Sequence, residues 1–276
     1  MFYCKKQFGQ NFLIDPWVIK DIVNYINFDA NNNQLILEIG PGFGAITGPL
    51  LAHCIKLIAI EIDQALIAKL QTIFQEEINA NKLVLINQDV LSVDFLALVK
   101  LYNNNQLDIP IKIVGNLPYN ISTEVLFKLL ELFNLFMVNN LSMHFLLQKE
   151  VAERLAAQPG SKRYGRLSVM AQYHAVINID CYVKSDAFNP VPKVESAMVK
   201  LVPIDILPEN KVIDYKHFSK LVTAAFSQRR KTISNALKNF CSKDNLLALN
   251  IALSSRAEQL SVHDFVKISN YLMVNC

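Results

Sequence analysis

Apolar and polar positions in the first 200 residues alternate between short continuous apolar runs and segments with helical spacing. The runs predict strands buried on both faces, as in a parallel sheet. They are Gln34–Ile39, Lys56–Glu61, Leu83–Asn87, Ile111–Gly115, Leu141–Leu147 and a closing pair, Ala175–Val183 and Ala197–Val202. Helical segments such as Gln64–Phe74 separate them, and Ser122 is a candidate N-cap of another. This order predicts an α/β fold with a parallel sheet.

The pattern becomes helical beyond a linker-like segment, Pro203–Asn210. The predicted helices there are Tyr215–Phe226, Lys231–Phe240, Lys243–Leu249 and Val262–Tyr271. We therefore predict two domains, with the sheet in residues 1–203 and a small all-helical domain in residues 204–276.

The amino-acid composition argues against a membrane protein and against a secreted, disulfide-linked one. Hydrophobic residues make up 52% of the chain, yet no run reaches the roughly 18 uncharged apolar residues of a membrane span. The N-terminus lacks the features of a signal peptide, and the five cysteines are odd in number and without a CxxC pair. We expect a cytoplasmic protein without a disulfide framework, a metal site or a membrane segment. No exposed apolar stripe indicates more than a monomer.

Charge is divided unevenly along the chain. Residues 1–148 carry 9 basic and 13 acidic side chains, whereas residues 149–276 carry 18 and 11, and every arginine lies at or beyond Arg154. Arginine suits bidentate contact with phosphate, so the basic half predicts a polyanion partner. A merely solvated basic face is the alternative.

A glycine cluster follows the first predicted strand. Gly40, Gly42 and Ala45 satisfy the G-x-G-x-x-G/A spacing, and Glu61 stands about 20 positions on, where an acidic residue accepts hydrogen bonds from ribose hydroxyls. These residues predict a nucleoside-containing cofactor. Two alternatives stay open. The cofactor could be NAD, which would make the protein an oxidoreductase, and the glycines could form a purely structural turn.

Asp89 follows the third predicted strand. Its carboxylate could accept a hydrogen bond from the amino group of a cofactor adenine. An N-cap or turn aspartate is an equally good interpretation.

The run Gly115–Asn120 is the most informative about chemistry. The exocyclic amine of adenine is a poor nucleophile because its lone pair is delocalised into the ring. The Asn116 side-chain oxygen and a backbone carbonyl, that of Leu117, could accept its two hydrogens and favour a tetrahedral nitrogen. Pro118 stiffens the turn, and Tyr119 offers a face on which an extruded base can stack. An ordinary turn at the end of a strand would explain Pro118 but not the whole set.

Phe188 precedes two prolines, Pro190 and Pro192, in a rigid loop. It could cover the other face of the target base. Packing within the loop is the more conservative interpretation.

Two basic clusters in the second half are candidates for RNA contact. The first lies in and just after the loop Pro159–Gly165, and the second between two predicted helices. Their members are Lys162, Arg163, Arg166, Arg229, Arg230 and Lys231. Together they predict a surface that follows phosphates, with binding that weakens as salt increases.

In their order along the chain these motifs resemble those of the small-subunit ribosomal RNA adenine N6-dimethyltransferases, the kasugamycin-sensitivity family. The resemblance runs from Lys5 to about Tyr271. It rests on Lys6–Leu13, Glu38–Gly44, Gly115–Tyr119, Tyr164–Tyr173, Phe188–Val194 and Phe226–Thr232. The short leader before Lys5 lacks part of the basic arm usual in the family.

The resemblance implies a Rossmann-like class I methyltransferase fold with a mostly parallel seven-stranded sheet and a helical RNA-binding C-terminal domain. It implies S-adenosylmethionine as cofactor, and dimethylation of two adjacent adenines in a 3′-terminal hairpin of 16S rRNA during small-subunit biogenesis. The implied cofactor contacts are Asn11, Leu13, Gly40, Glu61, Asp89 and Asn116, to which the glycine spacing adds Gly42. Two alternatives stay open, namely a large-subunit rRNA methyltransferase of the macrolide-resistance type and an RNA-binding assembly factor.

Overall fold

A computed structural model describes residues 10–102, 109–134 and 141–275. Within these residues the strands are β1 (Phe12–Leu13), β2 (Leu35–Ile39), β3 (Lys56–Glu61), β4 (Leu83–Asn87), β5 (Ile111–Asn116), β6 (Leu141–Gln148), β7 (Ala175–Val183), β8 (Phe188–Asn189) and β9 (Ser196–Pro203). The α-helices are α1 (Pro16–Tyr25), α2 (Thr47–Leu51), α3 (Gln64–Ile73), α4 (Gln75–Asn79), α5 (Phe95–Tyr102), α6 (Ser122–Leu130), α7 (Lys149–Leu155), α8 (Arg166–His174), α9 (Tyr215–Ser227), α10 (Ile233–Ala236), α11 (Lys243–Ala248) and α12 (Val262–Asn275). Residues 6–9 of the opening motif, Cys4 and Cys276 lie outside the described part.

The seven predicted strands form one sheet in the order β4-β3-β2-β5-β6-β9-β7. The five strands from β4 to β6 pair in parallel, and β9 pairs antiparallel with β6. All five residues of β2 are buried, which is why it appears in the sequence as an apolar run. The predicted mostly parallel seven-stranded α/β sheet is therefore confirmed.

A second, two-stranded sheet joins distant parts of the chain. β1 pairs antiparallel with β8, with Leu13 opposite Phe188, and the Ile14 N–H donates to the Ala187 carbonyl at 2.9 Å. The end of the opening motif is thereby attached to the proline-rich loop, a link that the sequence pattern did not indicate.

Several predicted elements differ at their ends. Ser122 begins α6 rather than capping it, since the cap position is Ile121. The helix predicted over Lys231–Phe240 is reduced to the four residues of α10, because Thr232 has the extended backbone of a cap and Leu237 already leaves helical geometry.

The chain divides into two compact units. The first comprises residues 1–152 and 176–203 and holds the sheet, and the second comprises residues 153–175 and 204–276. The sequence placed the boundary at residue 203, where the second unit resumes, but residues 153–175, including α8, also belong to that unit. Within it, Tyr173 of α8 packs on Phe218 of α9 with ring centroids 5.0 Å apart.

The second unit has its own apolar core. Phe218 and Phe265 are fully buried, and the rings of Phe226 and Phe265 lie 5.7 Å apart between α9 and α12. This packing explains the helical spacing of apolar residues after residue 210.

In the described part of the chain no helix is long and apolar enough to cross a membrane. The same residues contain no group of three or more histidine, cysteine, aspartate or glutamate side chains suited to a metal ion.

Candidate active site

A cavity of about 290 Å³ opens at the carboxyl ends of the parallel strands in the first unit. This is the edge of an open α/β sheet at which ligands bind. The cavity brings together all the predicted cofactor residues and all but one of the predicted catalytic residues. Those lining it are Asn11, Leu13, Gly40, Gly42, Glu61, Asp89, Asn116, Leu117, Pro118 and Tyr119.

The glycine loop after β2 forms one wall. Gly40 has a φ of +67° and Gly42 a φ of +60°, values that side-chain-bearing residues rarely adopt. A Cβ at Gly40 would lie 3.8 Å from the Asn116 carbonyl oxygen, with no other atom within 4 Å, whereas one at Gly42 would meet the Phe12 ring at 2.9 Å. Glycine at position 40 therefore leaves space in the cavity, and at position 42 it admits the opening segment.

Glu61 ends β3 at the cavity and is 6% exposed. One carboxylate oxygen accepts from the Gly42 N–H at 3.3 Å and the other from the Asp63 N–H at 3.0 Å. Burial raises the pKa of Glu61, while these backbone hydrogen bonds act in the opposite direction. Each oxygen has a second lone pair, so the group can also accept from the hydroxyls of a ligand.

For Asp89 the structure shows the turn interpretation, while its contact with a cofactor stays a prediction. Its carboxylate accepts from the Leu91 N–H at 2.9 Å, which caps the short 3₁₀ turn Val90–Ser92. It also lines the cavity. The capping contact uses one carboxylate oxygen and fixes the side chain at the wall of the cavity.

Asn116 is held by a residue 105 positions earlier. Its side-chain nitrogen donates to the Asn11 carbonyl at 2.8 Å, which fixes the amide plane and leaves the side-chain oxygen as the acceptor. The Leu117 N–H donates to the Leu146 carbonyl at 3.2 Å, and the Pro118 carbonyl accepts from the Ile121 N–H at 3.2 Å. The turn is thus fixed by its own backbone and by β6.

Tyr119 is half-buried and lines the cavity. Its hydroxyl lies 2.7 Å from the Ser196 Oγ on β9. Burial raises the pKa of Tyr119, so the phenol stays neutral at physiological pH.

Phe188 does not lie where the sequence prediction required. It is 0% exposed and belongs to the apolar core together with Leu13, Met198 and Ile22, and it is not among the residues that line the cavity. The conservative interpretation, packing of the loop, describes this structure. For Phe188 to touch a base, the side chains that cover it would have to move.

His144 is a polar residue of the cavity that sequence reasoning missed. It is 1% exposed, its Nε2 lies 3.0 Å from the Ser142 Oγ, and its Nδ1 is buried with no hydrogen-bond partner. Burial, reinforced by nearby Lys112 and Lys200, lowers its pKa to about 3, so it is uncharged at neutral pH. Its place in an apolar run of β6 was the available signal.

Glu38 is the second buried polar group that the sequence did not assign. It is 0% exposed on β2, and one of its carboxylate oxygens accepts from the Thr47 hydroxyl at 2.7 Å while the other has no partner. Burial raises its pKa to about 8.

In the second unit the structure brings the two predicted basic clusters together. The Arg229 guanidinium donates to the Lys162 carbonyl at 2.6 Å and lies 3.8 Å from the Glu258 carboxylate. Arg163 pairs with Glu153 at 3.0 Å. Arg230 and Lys231 are exposed. Arg229 therefore ties the loop to the turn, while its neighbours face solvent.

Known proteins resemble this chain over nearly its whole length. A family model described as ribosomal RNA adenine dimethylase matches residues 1–273. The chain is 46% identical to a ribosomal RNA small subunit methyltransferase A of Xylella fastidiosa, over 96% of this chain and 95% of that one. It is 44% identical to a protein of the same name from Neisseria gonorrhoeae, over 97% and 96%. A crystal structure of a dimethyladenosine transferase from Plasmodium falciparum superposes with a TM-score of 0.74 at 25% identity, over 93% and 95%.

Proposed function

The chain belongs to the ribosomal RNA adenine dimethylase family, and from that premise we propose that it transfers methyl groups from S-adenosylmethionine to the N6 amino groups of two adjacent adenines in a 3′-terminal hairpin of small-subunit rRNA. The observation that carries the proposal is that Asn116 and Tyr119 line the same cavity as the glycine loop and Glu61.

The cavity fits the cofactor in its hydrogen-bond acceptors, the Glu61 and Asp89 carboxylates, and in the space left at Gly40. Glu61 would accept from ribose hydroxyls, Asp89 from the adenine amino group, and Asn11 and Leu13 would close over the ligand from the opening segment. When bound, S-adenosylmethionine supplies an electrophilic methyl group on a positively charged sulfur.

The protein's own contribution is to orient the amine. The Asn116 oxygen accepts one N6 hydrogen, since its nitrogen is already engaged by Asn11. The Leu117 carbonyl accepts the other. Two acceptors on the amino hydrogens favour a tetrahedral nitrogen and stabilise positive charge as it develops. Neutral acceptors avoid the cost of desolvating a carboxylate.

The base itself is held by stacking. Tyr119 provides one face for an adenine taken out of its hairpin. Phe188 would provide the second face only after its covering side chains rearrange on binding.

The second unit supplies contacts to RNA. Lys162, Arg163, Arg166, Arg229, Arg230 and Lys231 would meet phosphates. The Arg229 guanidinium already donates a hydrogen bond to the Lys162 carbonyl, so its main contribution is to hold the loop and the turn together. The exposed Arg230 and Lys231 are the better candidates for direct contact with phosphates.

The proposal includes the small subunit as partner, a role in its biogenesis, and a cytoplasmic location. The names of relatives at 44–46% identity support the small subunit over the large one. Leu117 and the run Gly165–Tyr173 support the same choice.

The first experiment tests substrate and chemistry. Immature small subunits and purified large subunits are incubated separately with the protein and methyl-labelled cofactor. We expect label in dimethyladenosine of the small subunit alone. Label on the large subunit, or on another nucleoside, would contradict the proposal.

The second experiment tests the role of Asn116. Asn116→Ala should lower kcat by about 100-fold or more, as loss of one preorganised polar group in an active site does. Binding of S-adenosylhomocysteine should weaken only about fivefold, the worth of the lost hydrogen bond to Asn11. Asn79→Ala, at an exposed position of the first unit, is the matched control. Equal losses of catalysis and binding would contradict this assignment.

A further inference from the structure

Ser196 is a buried hydroxyl residue that the motifs leave without a role, and it contacts Tyr119. We infer that Ser196 is a positioning residue of the active site, which holds the Tyr119 ring at the angle needed to stack on the target base. The inference rests on the proposed function, because it assumes that this ring receives an adenine.

The contact is short and joins distant positions. The Tyr119 hydroxyl lies 2.7 Å from the Ser196 Oγ, and the two residues are 77 positions apart in the chain. Ser196 is 0% exposed. A buried hydroxyl needs a hydrogen-bond partner, and here the partner is a ring that lines the cavity.

Ser196 is itself firmly anchored. It is the first residue of β9, opposite Gln148 of β6. The Lys149 N–H donates to the Glu195 carbonyl at 2.9 Å, and the side chains of the same two residues form an ion pair at 2.7 Å. The serine hydroxyl is therefore held in place on β9, and the Tyr119 ring is attached to it.

The ring needs such a point. A tyrosine side chain turns about two bonds, and Tyr119, which lines the cavity, is only half-buried, so its neighbours do not enclose it. A hydrogen bond at the far end of the ring restricts rotation about the Cα–Cβ bond directly. Because the phenolic O–H prefers to lie in the ring plane, the direction of the bond to Ser196 also favours one orientation of the ring about the Cβ–Cγ bond. The Tyr119 side chain then loses its rotational freedom when the protein folds, so this entropy is not lost again when the base binds.

According to this inference, the Tyr119 hydroxyl orients the ring and takes no part in the methyl transfer itself. Phenylalanine at position 119 would keep the stacking face and lose the attachment. Both Tyr119→Phe and Ser196→Ala should therefore lower kcat by about fivefold, the usual net value of one hydrogen bond. KM for the ribosomal particle should change little, since phosphate contacts dominate its binding.

The decisive measurement is the double-mutant cycle on kcat. Adding Ser196→Ala to Tyr119→Phe should leave kcat within about twofold of the single variants, because both changes remove the same hydrogen bond. Ser269→Ala is the matched control, since it also deletes a fully buried serine hydroxyl, one that lies 3.0 Å from the His217 ring in the second unit. It should leave kcat unchanged. Multiplying losses in the double variant, or no loss in Ser196→Ala, would overturn the inference.

An NMR measurement on ligand-free protein separates this inference from the proposed function. In protein labelled at the tyrosine ζ carbon, the Tyr119 signal is identified by its absence in Tyr119→Phe. It should shift in Ser196→Ala and stay in place in Ser269→Ala. An unmoved signal would overturn the inference even if adenine methylation is confirmed. A shifted signal in a protein inactive on adenine would instead overturn the proposed function, and it would leave only the hydrogen bond between Tyr119 and Ser196 established.

Discussion

Replacing Gly40 by alanine should weaken cofactor binding in addition to lowering the stability of the folded protein. The backbone at Gly40 has a φ of +67°, so alanine there carries a strain of about 1–2 kcal/mol. The added methyl group has room in the cavity, with the Asn116 carbonyl oxygen as its nearest neighbour at 3.8 Å. The same room is needed by the ligand. A methyl group in a closely packed contact costs about 1–3 kcal/mol, which corresponds to a loss of roughly 5- to 150-fold in affinity.

Gly160→Ala supplies the matched control. Gly160 has a φ of +87° in the second unit, and a Cβ there would meet nothing within 4 Å. The two variants should therefore lose similar stability, with thermal midpoints a few degrees below the wild type. Titration calorimetry with S-adenosylhomocysteine should separate them, since only Gly40→Ala should bind weakly. Equal affinity in the two variants would refute the placement of the ligand against the glycine loop.

Three further predictions concern charge. Glu38→Gln should stabilise the first unit relative to the wild type, and increasingly so as the pH rises from about 5 to 8. The folded wild type retains a proton on Glu38 with a pKa of about 8, whereas the unfolded chain releases it near 4.5, so the wild type loses up to about 1.4 kcal/mol of stability per pH unit. Thermal midpoints of both proteins at pH 5 and pH 8 measure this effect, and the same difference between them at both pH values would contradict it. Burial lowers the pKa of His144 to about 3 and of His174 to about 4. Between pH 6.5 and 4 the unfolded chain therefore takes up protons that the folded protein does not, and stability should fall as the pH is lowered. His174→Gln should reduce this loss of stability, which thermal midpoints measured across that pH range would show. Replacing Arg230 and Lys231 together by alanine should weaken RNA binding and lower the steepness of log affinity against log salt by about one to two, whereas an unchanged slope would remove them from the RNA surface.

The sequence determined those features that depend on neighbouring residues. Buried parallel strands are apolar on both faces, so β2 and β3 could be located from the continuous apolar runs in the sequence. Glycines 40 and 42 lie where a strand ends, and the Asn116–Tyr119 run follows another strand. Because parallel strands present their carboxyl ends at one edge, the sequence could predict that these segments meet.

Only the tertiary structure decided which side chains touch. The hydrogen bonds from Asn116 to Asn11 and between Tyr119 and Ser196 join residues 105 and 77 positions apart. No periodic pattern encodes such pairs, since they depend on how β1, β5 and β9 are brought together. The burial of Phe188 has the same origin: its motif indicates a rigid loop, but pairing with Leu13 directs the ring into the core. Residues 153–175 likewise pack with later helices because their apolar faces match there, a choice that local spacing cannot express.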